Sequence, residues 1–360
     1  MKLKDVVREV RSTHKGDITN IPIVGLEHIT PYEITFEKYL MDSESTFTKL
    51  FKKGQVLFGR RRAYQHKAAI AHMDGICSGD IMVLEAIPGK IDSNLLPFII
   101  QNDSFFDYAI QHSEGGLSPR VKWSAIANYE FTLPSLDEQK VLADKLWAAY
   151  RVKESYKKLL AATDDMLKAK FQEMFGDDEK IALETIASAW SKGQSFSKND
   201  IVDEGSTPCI HYGQLYKYGY VINNVFSATN ASAKITSMKG DILFPASDVT
   251  PRGLARCSCI DLDGVILGGD IIVMHPREGI DPTYLSYAIN QQTNQLLQLV
   301  TGSVVRHMSA KSLKTVKVPL PPLPLQQQFV EIATQAEATK ESLRKSIENI
   351  DQVIKSLINQ

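Results

Sequence analysis

An internal duplication constrains the fold of this chain more than any other feature. Five segments recur in the same order, 186 to 190 residues apart: 53–58 with 239–244, 79–83 with 269–273, 92–100 with 281–289, 116–120 with 302–306, and 133–136 with 320–323. The period is far longer than the 20 to 50 residues of a solenoid repeat. The sequence therefore predicts two copies of one domain rather than a stacked array.

Composition limits the class of protein. Of the 360 residues, 43% are hydrophobic and 23% are charged, which is ordinary for a soluble globular protein. No run approaches the roughly 20 apolar residues of a membrane span, and the N-terminus lacks the apolar core of a signal peptide. A cytoplasmic protein with no membrane partner is expected.

Charge and cysteine content exclude further classes of site. The net charge of −1 argues against indiscriminate binding of polyanions, so contact with nucleic acid must come from local patches. The four cysteines are few and unevenly placed, which indicates a reducing compartment: Cys77, Cys209, Cys257 and Cys259. Cys257 and Cys259 alone cannot close a zinc site, which takes about four ligands.

The first part of each copy has the pattern of a mixed α/β domain. Short apolar runs bounded by glycine, aspartate or proline predict strands at 21–24, 55–58 and 80–84. Helical spacing of apolar residues predicts helices over 94–112 and 283–299, each followed by a glycine that would end it.

The second part of each copy predicts a long helix. Ser135 and Glu138 have the spacing of a capping box at the start of the first one, which is predicted to run over about 136–173. Apolar or small residues then follow a narrow 4-3 seam: Leu142, Leu146, Ala149, Tyr156, Leu160 and Leu167, and later Leu343, Ile347, Ile350, Ile354 and Leu357. Such a seam favours an antiparallel coiled coil between the two helices. Charged neighbours, including Lys153 and Lys340, are placed on the exposed flanks. The alternative is two surface helices, each packed on its own domain.

Several motifs resemble the specificity subunits of type I restriction–modification systems, and the resemblance covers essentially the whole chain. They are the helix start at 133–139 (LPSLDEQ), its altered copy at 320–327 (LPPLPLQQ), the helix end at 171–177 (FQEMFGD) and the stretch YGQLY at 212–216. Two departures are that Leu325 stands in the place of Glu138, which removes the capping interaction, and that the C-terminal helix stops at Gln360 and looks slightly short.

The resemblance implies an α/β (mixed α+β) fold with two similar target-recognition domains, 1–135 and 176–324. Two long antiparallel coiled-coil helices, 136–175 and 325–360, would separate them with pseudo-twofold symmetry. It also implies that the chain is non-catalytic and that each domain recognises half of a bipartite site in double-stranded DNA. The implied partners are two modification subunits, which bind S-adenosylmethionine and methylate adenine, and restriction subunits, which translocate and cut DNA.

The residues themselves reveal no catalytic motif. A P-loop is absent, as are a methyltransferase's glycine-rich loop and its motif for holding a flipped base. The histidines have no metal-ligand spacing. No cofactor is expected in this chain.

A basic segment after the predicted strand at 55–58 is the first candidate for DNA contact. Its members are Arg60, Arg61, Arg62, Tyr64, Gln65 and Lys67. Arginine suits guanine or phosphate, and glutamine suits adenine. The corresponding stretch of the second copy keeps the position but changes the chemistry, with Thr250, Arg252 and Arg256. A solvated basic turn is the alternative.

Two further candidates are less divergent between the copies. Arg120 and Lys122 are matched with Arg306 and Lys311, and repeated cations would suit phosphates, which carry no sequence information. Alternatively, these arginines pair with acids at the helix junction. Tyr216 and Lys217 belong to a tyrosine-rich stretch that would line DNA or form a buried strand.

A second function class stays open on the sequence alone. The duplicated domains would then bind proteins, and the coiled coil would serve a scaffold or adaptor. The near-neutral charge is compatible with this reading.

Overall fold

The computed structural model describes residues 1–41 and 44–359, which divide into two compact units. Unit 1 contains Met1–Lys158 and Leu343–Gln360, and unit 2 contains Leu159–Ser342. Within the described ranges, no helix is both long and apolar enough to cross a membrane.

The described residues of unit 1 form seven short strands and three short helices, together with parts of two long helices. The strands are β1 Val7–Val10, β2 Ile23–Val24, β3 Lys49–Phe51, β4 Val56–Gly59, β5 Ala68–Ile70, β6 Gly75–Cys77 and β7 Ile81–Ala86. The helices are α1 Leu96–Ile100, α2 Asp103–Gln111, α3 Trp123–Ile126 and the first part of α4 Leu136–Phe175. The strands predicted at 21–24, 55–58 and 80–84 are confirmed as β2, β4 and β7.

Unit 2 has more and shorter strands. They are β8 Lys180–Ala182, β9 Ala187–Lys192, β10 Ile201–Val202, β11 Thr207–Ile210, β12 Val221–Ile222, β13 Ala228–Thr229, β14 Ile242–Pro245, β15 Ser247–Asp248, β16 Ser258–Ile260, β17 Ile266–Leu267, β18 Ile271–Pro276, β19 Arg306–His307 and β20 Lys317–Pro319. The helices are α5 Leu183–Ile186, α6 Pro251–Leu254, α7 Pro282–Asn290, α8 Thr293–Gln298, α9 Ala310–Leu313 and α10 Leu323–Ile358, the last ending in unit 1.

The two units have sheets of the same order, which confirms the duplication. Unit 1 has the antiparallel order β1-β7-β4-β5, and the series β9-β18-β14-β16 repeats it in unit 2, where β12 adds a fifth strand. The parallel pair of β2 with β6 recurs as β11 with β17. The fold is therefore mixed α/β in both copies, as predicted.

The turn before the central strand is built alike in both units. Gly54 and Gly240 have φ of 88° and 93°, a backbone conformation that disfavours any residue with a Cβ atom. The next side chain then closes the turn: Gln55 Oε1 accepts from the amide of Lys52, and Asp241 Oδ2 accepts from that of Met238, both at 2.8 Å. The repeated Lys-Gly sequence thus marks a turn with a specific backbone requirement.

The single helices predicted over 94–112 and 283–299 are wrong, because each is broken into two. In unit 1, Asn102 accepts a hydrogen bond from the amide of Ser104 and so caps a new helix, α2, after α1 has ended. In unit 2, α7 ends at Asn290 and α8 begins at Thr293. Helical spacing continues across both breaks, so periodicity alone did not reveal them.

The predicted seam is confirmed on both long helices, since each of its members is buried or half-buried. On α10 the same 4-3 spacing extends back through Leu343 to Lys340, Ala336, Ala333, Phe329 and Gln326, all buried. The placement of Lys153 and Lys340 on exposed flanks is wrong, because they are only 6% and 5% exposed. Their long aliphatic stems lie in the seam, and their ammonium groups reach carboxylates of the other helix.

These buried lysines pair the two helices reciprocally. In unit 1, Nζ of Lys153 on α4 lies 2.7 Å from Oδ1 of Asp351 on α10. In unit 2, Nζ of Lys340 on α10 lies 2.6 Å from Oδ1 of Asp164 on α4. The two lysines are 187 residues apart, and so are the two aspartates. Within each unit, a lysine of one long helix thus pairs with an aspartate of the other, and the helix that supplies the lysine is α4 in unit 1 and α10 in unit 2.

The start of α4 is fixed by two polar side chains. The amide and hydroxyl of Ser135 donate to Glu138 Oε2 at 2.9 and 2.7 Å, which confirms the capping box. The neighbouring Gln139 is buried, accepts from the amide of Asp92 at 2.9 Å and donates to the carbonyl of Pro134 at 3.0 Å. Gln139 thus ties the helix to the loop before α1.

The start of α10 keeps the buried glutamine but not the capping box. Gln326 is buried, accepts from the amide of Asp281 at 2.9 Å and donates to the carbonyl of Pro321 at 2.7 Å. Leu325 has no side-chain oxygen, so the reciprocal bond of a capping box is lost there, as the sequence indicated. The buried glutamine, rather than the capping glutamate, is the common element of both helix starts.

Candidate nucleic-acid interface

In unit 1, the basic segment after β4 has an unusual backbone. Arg62 and His66 have φ of 54° and 51°, and they bracket a single 3-10 turn over Ala63–Gln65. Non-glycine residues in this region store strain, which concentrates at functional sites. The turn leaves Tyr64 52% exposed, whereas Gln65 is half-buried.

The ends of this segment are anchored by its other cations. Arg60 Nε donates to the carbonyl of Val121 at 3.1 Å, and Lys67 Nζ donates to that of Leu26 at 2.7 Å. Both side chains are therefore engaged with the backbone of their own unit. His66, at the C-terminal end, stacks on Tyr32 with ring centroids 4.6 Å apart.

Two arginines share one carboxylate beside the segment. Arg61 Nη1 lies 3.2 Å and Arg120 Nε lies 2.7 Å from the carboxylate oxygens of Asp80. Partial burial would raise the pKa of Asp80, but the hydrogen bonds from both arginines outweigh it and hold this pKa below its usual range. The ion pairs of Arg61 and Arg120 with Asp80 are therefore lost only when the pH falls through the lowered pKa of Asp80. Lys122 pairs with Glu114 at 2.6 Å.

The counterpart in unit 2 has a different local structure. Asp248 ends β15 and accepts from the hydroxyl of Thr250 at 2.8 Å, while that hydroxyl accepts from the amide of Gly253 at 3.1 Å. Thr250 thereby caps α6, and Arg252 on this turn is exposed. An arginine-rich 3-10 turn in one unit is thus replaced by a threonine-capped helical turn in the other.

The tyrosine-rich stretch is neither a strand nor fully exposed. Residues Tyr212–Lys217 form a 3-10 helix, on which Tyr216 is half-buried and Lys217 is exposed. The guanidinium of Arg256 lies 5.8 Å from the ring centroid of Tyr216 and donates to the carbonyl of Tyr218 at 2.6 Å. Burial raises the pKa of Tyr216. The predicted strand alternative for this stretch is therefore wrong.

The matching of Arg120 with Arg306 is wrong by one residue. A hairpin closes in unit 1 between Glu114 and Arg120, and in unit 2 between Thr301 and His307. His307 therefore occupies the position of Arg120. Arg306 donates instead to the carbonyl of Gly302 at 2.8 Å within its own loop.

The other matched cation, Lys122, is also displaced from its predicted counterpart. Lys122 precedes α3, and the residue that precedes the corresponding α9 is Ser309. Lys311 lies inside α9 and is exposed. The cations of the two copies thus lie on the same elements but at different positions.

The sequence missed the residues that organise these cations. Asp80 was part of a repeated Gly-Asp pair, and its counterpart Asp270 accepts from the hydroxyl of Ser247 at 2.9 Å. The repeated aspartate after a glycine was the available signal, because its carboxylate bonds to the side chain of the second residue after the central strand in both units, Arg61 and Ser247.

The described residues show neither a metal-holding cluster nor an exposed thiol. They contain no group of three or more histidine, cysteine, aspartate or glutamate side chains placed to hold a metal ion. All four cysteines are buried and free, and burial raises the pKa of Cys77, Cys257 and Cys259 to about 12. Thiols with so high a pKa are poor nucleophiles at neutral pH.

Known proteins resemble this chain over nearly its full length. It is 21% identical over 398 aligned residues, covering 99% of the chain and 91% of the relative, to a sequence assigned as the specificity subunit of type I restriction enzyme MjaX of Methanocaldococcus jannaschii. The solved S subunit of a type I restriction–modification system from M. genitalium is 14% identical, with a TM-score of 0.60 over 100% of this chain and 94% of that one. A chain solved in work on complex assembly and conformational transition of the type I R-M system is 19% identical, with a TM-score of 0.57 over 99% and 98%. These structures support the fold.

The family assignment follows from a match that includes both copies. Residues 10–162 and 177–352 each match the type I restriction modification DNA specificity domain, so most of the chain is covered. The chain belongs to this family of type I restriction–modification DNA specificity proteins.

Proposed function

We propose that this chain is the subunit that gives a type I restriction–modification complex its DNA sequence specificity. Residues 1–135 and 176–324 would act as the two target-recognition domains, and 136–175 with 325–360 as the spacer helices. The observation that carries the proposal is that the two units share a sheet but differ in the segment after its central strand. This segment is an arginine-rich turn in unit 1 and a threonine-capped turn in unit 2. Two half-sites of different sequence require such a difference.

We assign the sequence-reading role to the exposed or half-buried side chains of the divergent segments. In unit 1 these are Arg61, Arg62, Tyr64 and Gln65, and in unit 2 they are Thr250, Arg252 and Arg256 with Tyr216 and Lys217 beside them. Arg60 and Lys67 would hold the first segment in place, since they donate to backbone carbonyls. Phosphate contacts would come from Arg120 and Lys122 in unit 1 and from Arg306 and Lys311 in unit 2.

The partners follow from the same proposal. The chain itself would be non-catalytic, and modification subunits would bind S-adenosylmethionine and methylate adenine in the cytoplasm. Two equivalent helix starts, each organised by a buried glutamine, would offer two equivalent docking positions, which favours two modification subunits per chain. Restriction subunits would complete the complex.

Methylome sequencing of a host that expresses the chain with its modification partner tests the proposal. We expect methylated adenines in one interrupted sequence with two specified halves and an unspecified spacer of fixed length. A host without the chain is the control. If the partner methylates no new sequence, or if the chain forms no complex with it, the chain acts instead as a duplicated protein-binding scaffold.

A salt titration tests the phosphate contacts separately. Each lost phosphate contact reduces the slope of log K against log salt by about 0.9. Arg120→Ala combined with Arg306→Ala should therefore flatten the slope by about 1 to 2 units. An unchanged slope would mean that these arginines act only within the protein, through Asp80 and Gly302.

A further inference from the structure

Each unit presents a tight hairpin loop whose outermost side chain is aliphatic. We define the tip loops as residues 115–119 of unit 1 and 302–306 of unit 2. Leu117 is 97% exposed and Val304 is 81% exposed. The hairpins that carry them close through paired backbone hydrogen bonds of 2.8 to 3.0 Å, so the two side chains occupy the same position of the duplicated domain.

The exposure of these side chains does not come from a loose loop. Gly115 and Gly302 begin the two loops with φ of 111° and 92°. At Gly302 a Cβ atom would lie 2.3 Å from the carbonyl oxygen of Val305, so the loop requires glycine there. In unit 1, the hydroxyl of Ser118 next to Leu117 accepts from two arginines of the basic segment.

The surroundings of Leu117 are cationic rather than apolar. Arg61 and Arg62 donate to Ser118 at 3.1 and 3.3 Å, and Arg120 closes the hairpin. Together with Lys122, these four cations share the face with two carboxylates, Asp80 and Glu114.

A single exposed aliphatic residue is ordinary on a protein surface. Two observations distinguish these two. The aliphatic tip recurs at one position although its neighbours differ, with Gly116 and Ser118 in unit 1 against Ser303 and Val305 in unit 2. In addition, a protein partner would be met by a contiguous apolar patch, whereas the tip in unit 1 stands among arginines. This second observation concerns unit 1 alone, because Val305 beside the tip of unit 2 is itself 48% exposed.

We propose that Leu117 and Val304 are DNA wedges, each of which enters a groove and partly unstacks one base step of its half-site. This rests on the proposed function and adds a mode of recognition to it. Aliphatic side chains inserted between base pairs in the minor groove kink DNA, and the cost of unstacking is offset by contacts that the bend allows. Arg120 and Arg306, to which the proposed function assigns phosphate contacts, would lie where phosphates flank the opened step.

The test uses the full chain assembled with its modification partner and duplexes of the mapped bipartite sequence. 2-Aminopurine, whose fluorescence rises when it unstacks, is placed at successive positions of each half. Wild type should raise the fluorescence at one step in each half that is separate from the adenine flipped by the modification partner. Leu117→Ser should abolish the rise in one half and Val304→Ser in the other. Each should lower the affinity by about tenfold, because the bend and the contacts that it allows are lost.

Matched controls separate the wedge from a general loss of surface hydrophobicity. Leu159→Ser and Val353→Ser remove aliphatic side chains that are 48% and 51% exposed on α4 and α10, and they should change neither fluorescence nor affinity. Leu117→Met keeps an apolar tip and should retain the rise.

Three results would overturn the inference. If the wild-type complex binds the mapped sequence and the fluorescence does not rise, then no wedge enters the DNA. Leu117→Ser could also lower the affinity for thymine-containing DNA but not for DNA in which deoxyuridine replaces thymine. Leu117 would then contact a thymine methyl group in the major groove and would not act as a wedge. A wild-type complex that retains no DNA sequence at all contradicts the proposed function itself, and this inference with it.

Discussion

The helix starts and the segments after the central strands have diverged to very different extents since the duplication. At the helix starts, Gln139 and Gln326 make the same two hydrogen bonds in both units. After β4 and its counterpart β14, one unit has a strained 3-10 turn with left-handed Arg62 and the other has a helical turn capped by Thr250. The difference separates the framework from the surface that we propose for DNA recognition: the contacts of the two buried glutamines are kept, whereas exposed side chains change.

The largest effect is expected at the two buried glutamines, and it should be equal in the two units. Gln139→Ala and Gln326→Ala each remove a buried side chain that bonds to one backbone amide and one backbone carbonyl, at a cost of about 2 to 3 kcal/mol in the free energy of unfolding. Chemical denaturation of the full chain measures both. Gln327→Ala, at an exposed position next to Gln326, is the control. A large effect at one glutamine only would break the equivalence of the two helix starts.

A smaller and unequal effect is expected at the buried lysines. Asp351→Ala removes the carboxylate that pairs with Lys153, whereas after Asp164→Ala the ammonium of Lys340 still lies 2.8 Å from Glu337. Stranding a buried charge is costly, but both aspartates are partly exposed, so we expect losses of about 2 and about 1 kcal/mol.

The control for this pair is Asp165→Ala. Asp165 forms an exposed ion pair with Lys168 on α4, and its loss should leave stability unchanged. Equal losses for the two seam aspartates would mean that Glu337 does not support Lys340.

The smallest effect is expected at the two matching turns. Gly54→Ala places a Cβ in a disfavoured backbone conformation with nothing within 4 Å, so about 1 kcal/mol is expected. Gly240→Ala carries the same strain and also brings the Cβ to 3.0 Å from Cγ of Pro282, so its loss should be somewhat larger. Thermal unfolding under identical conditions compares them, and Gly79→Ala, with open space and ordinary φ, is the reference. A larger loss of stability for Gly54→Ala than for Gly240→Ala would show that Pro282 moves away from the new Cβ atom at little cost.

The repeated sequence predicted the framework well because buried contacts constrain residue type. The strands, the coiled-coil seam and the capping of α4 all follow from apolar spacing and from Ser135 with Glu138. The breaks after α1 and α7 were missed because apolar periodicity continues across them. The burial of Lys153 and Lys340 was missed because charge normally marks an exposed position.

The surface that we propose for DNA recognition was harder to predict than the framework. The sequence located the basic segment, but the left-handed backbone at Arg62 and His66 depends on tertiary contacts such as the stacking of His66 on Tyr32. The one-residue error at Arg120 arose because the loops of the two hairpins place their glycines differently. The sequence comparison aligned Gly116 with Gly302. The residue that has the same left-handed backbone conformation as Gly302 is Gly115, and aligning these two glycines gives the correct register.

Methylome mapping of two sets of recognition variants tests the central claim, that each unit reads its own half-site, most directly. Tyr64→Ala with Gln65→Ala alters unit 1, and Arg252→Ala alters unit 2. Loss of a base contact costs about 1 to 3 kcal/mol of discrimination, so each set should relax the specified bases in one half of the methylated sequence and leave the other half intact. Relaxation of the same half by both sets, or a uniform fall in methylation with both halves unchanged, would contradict the account.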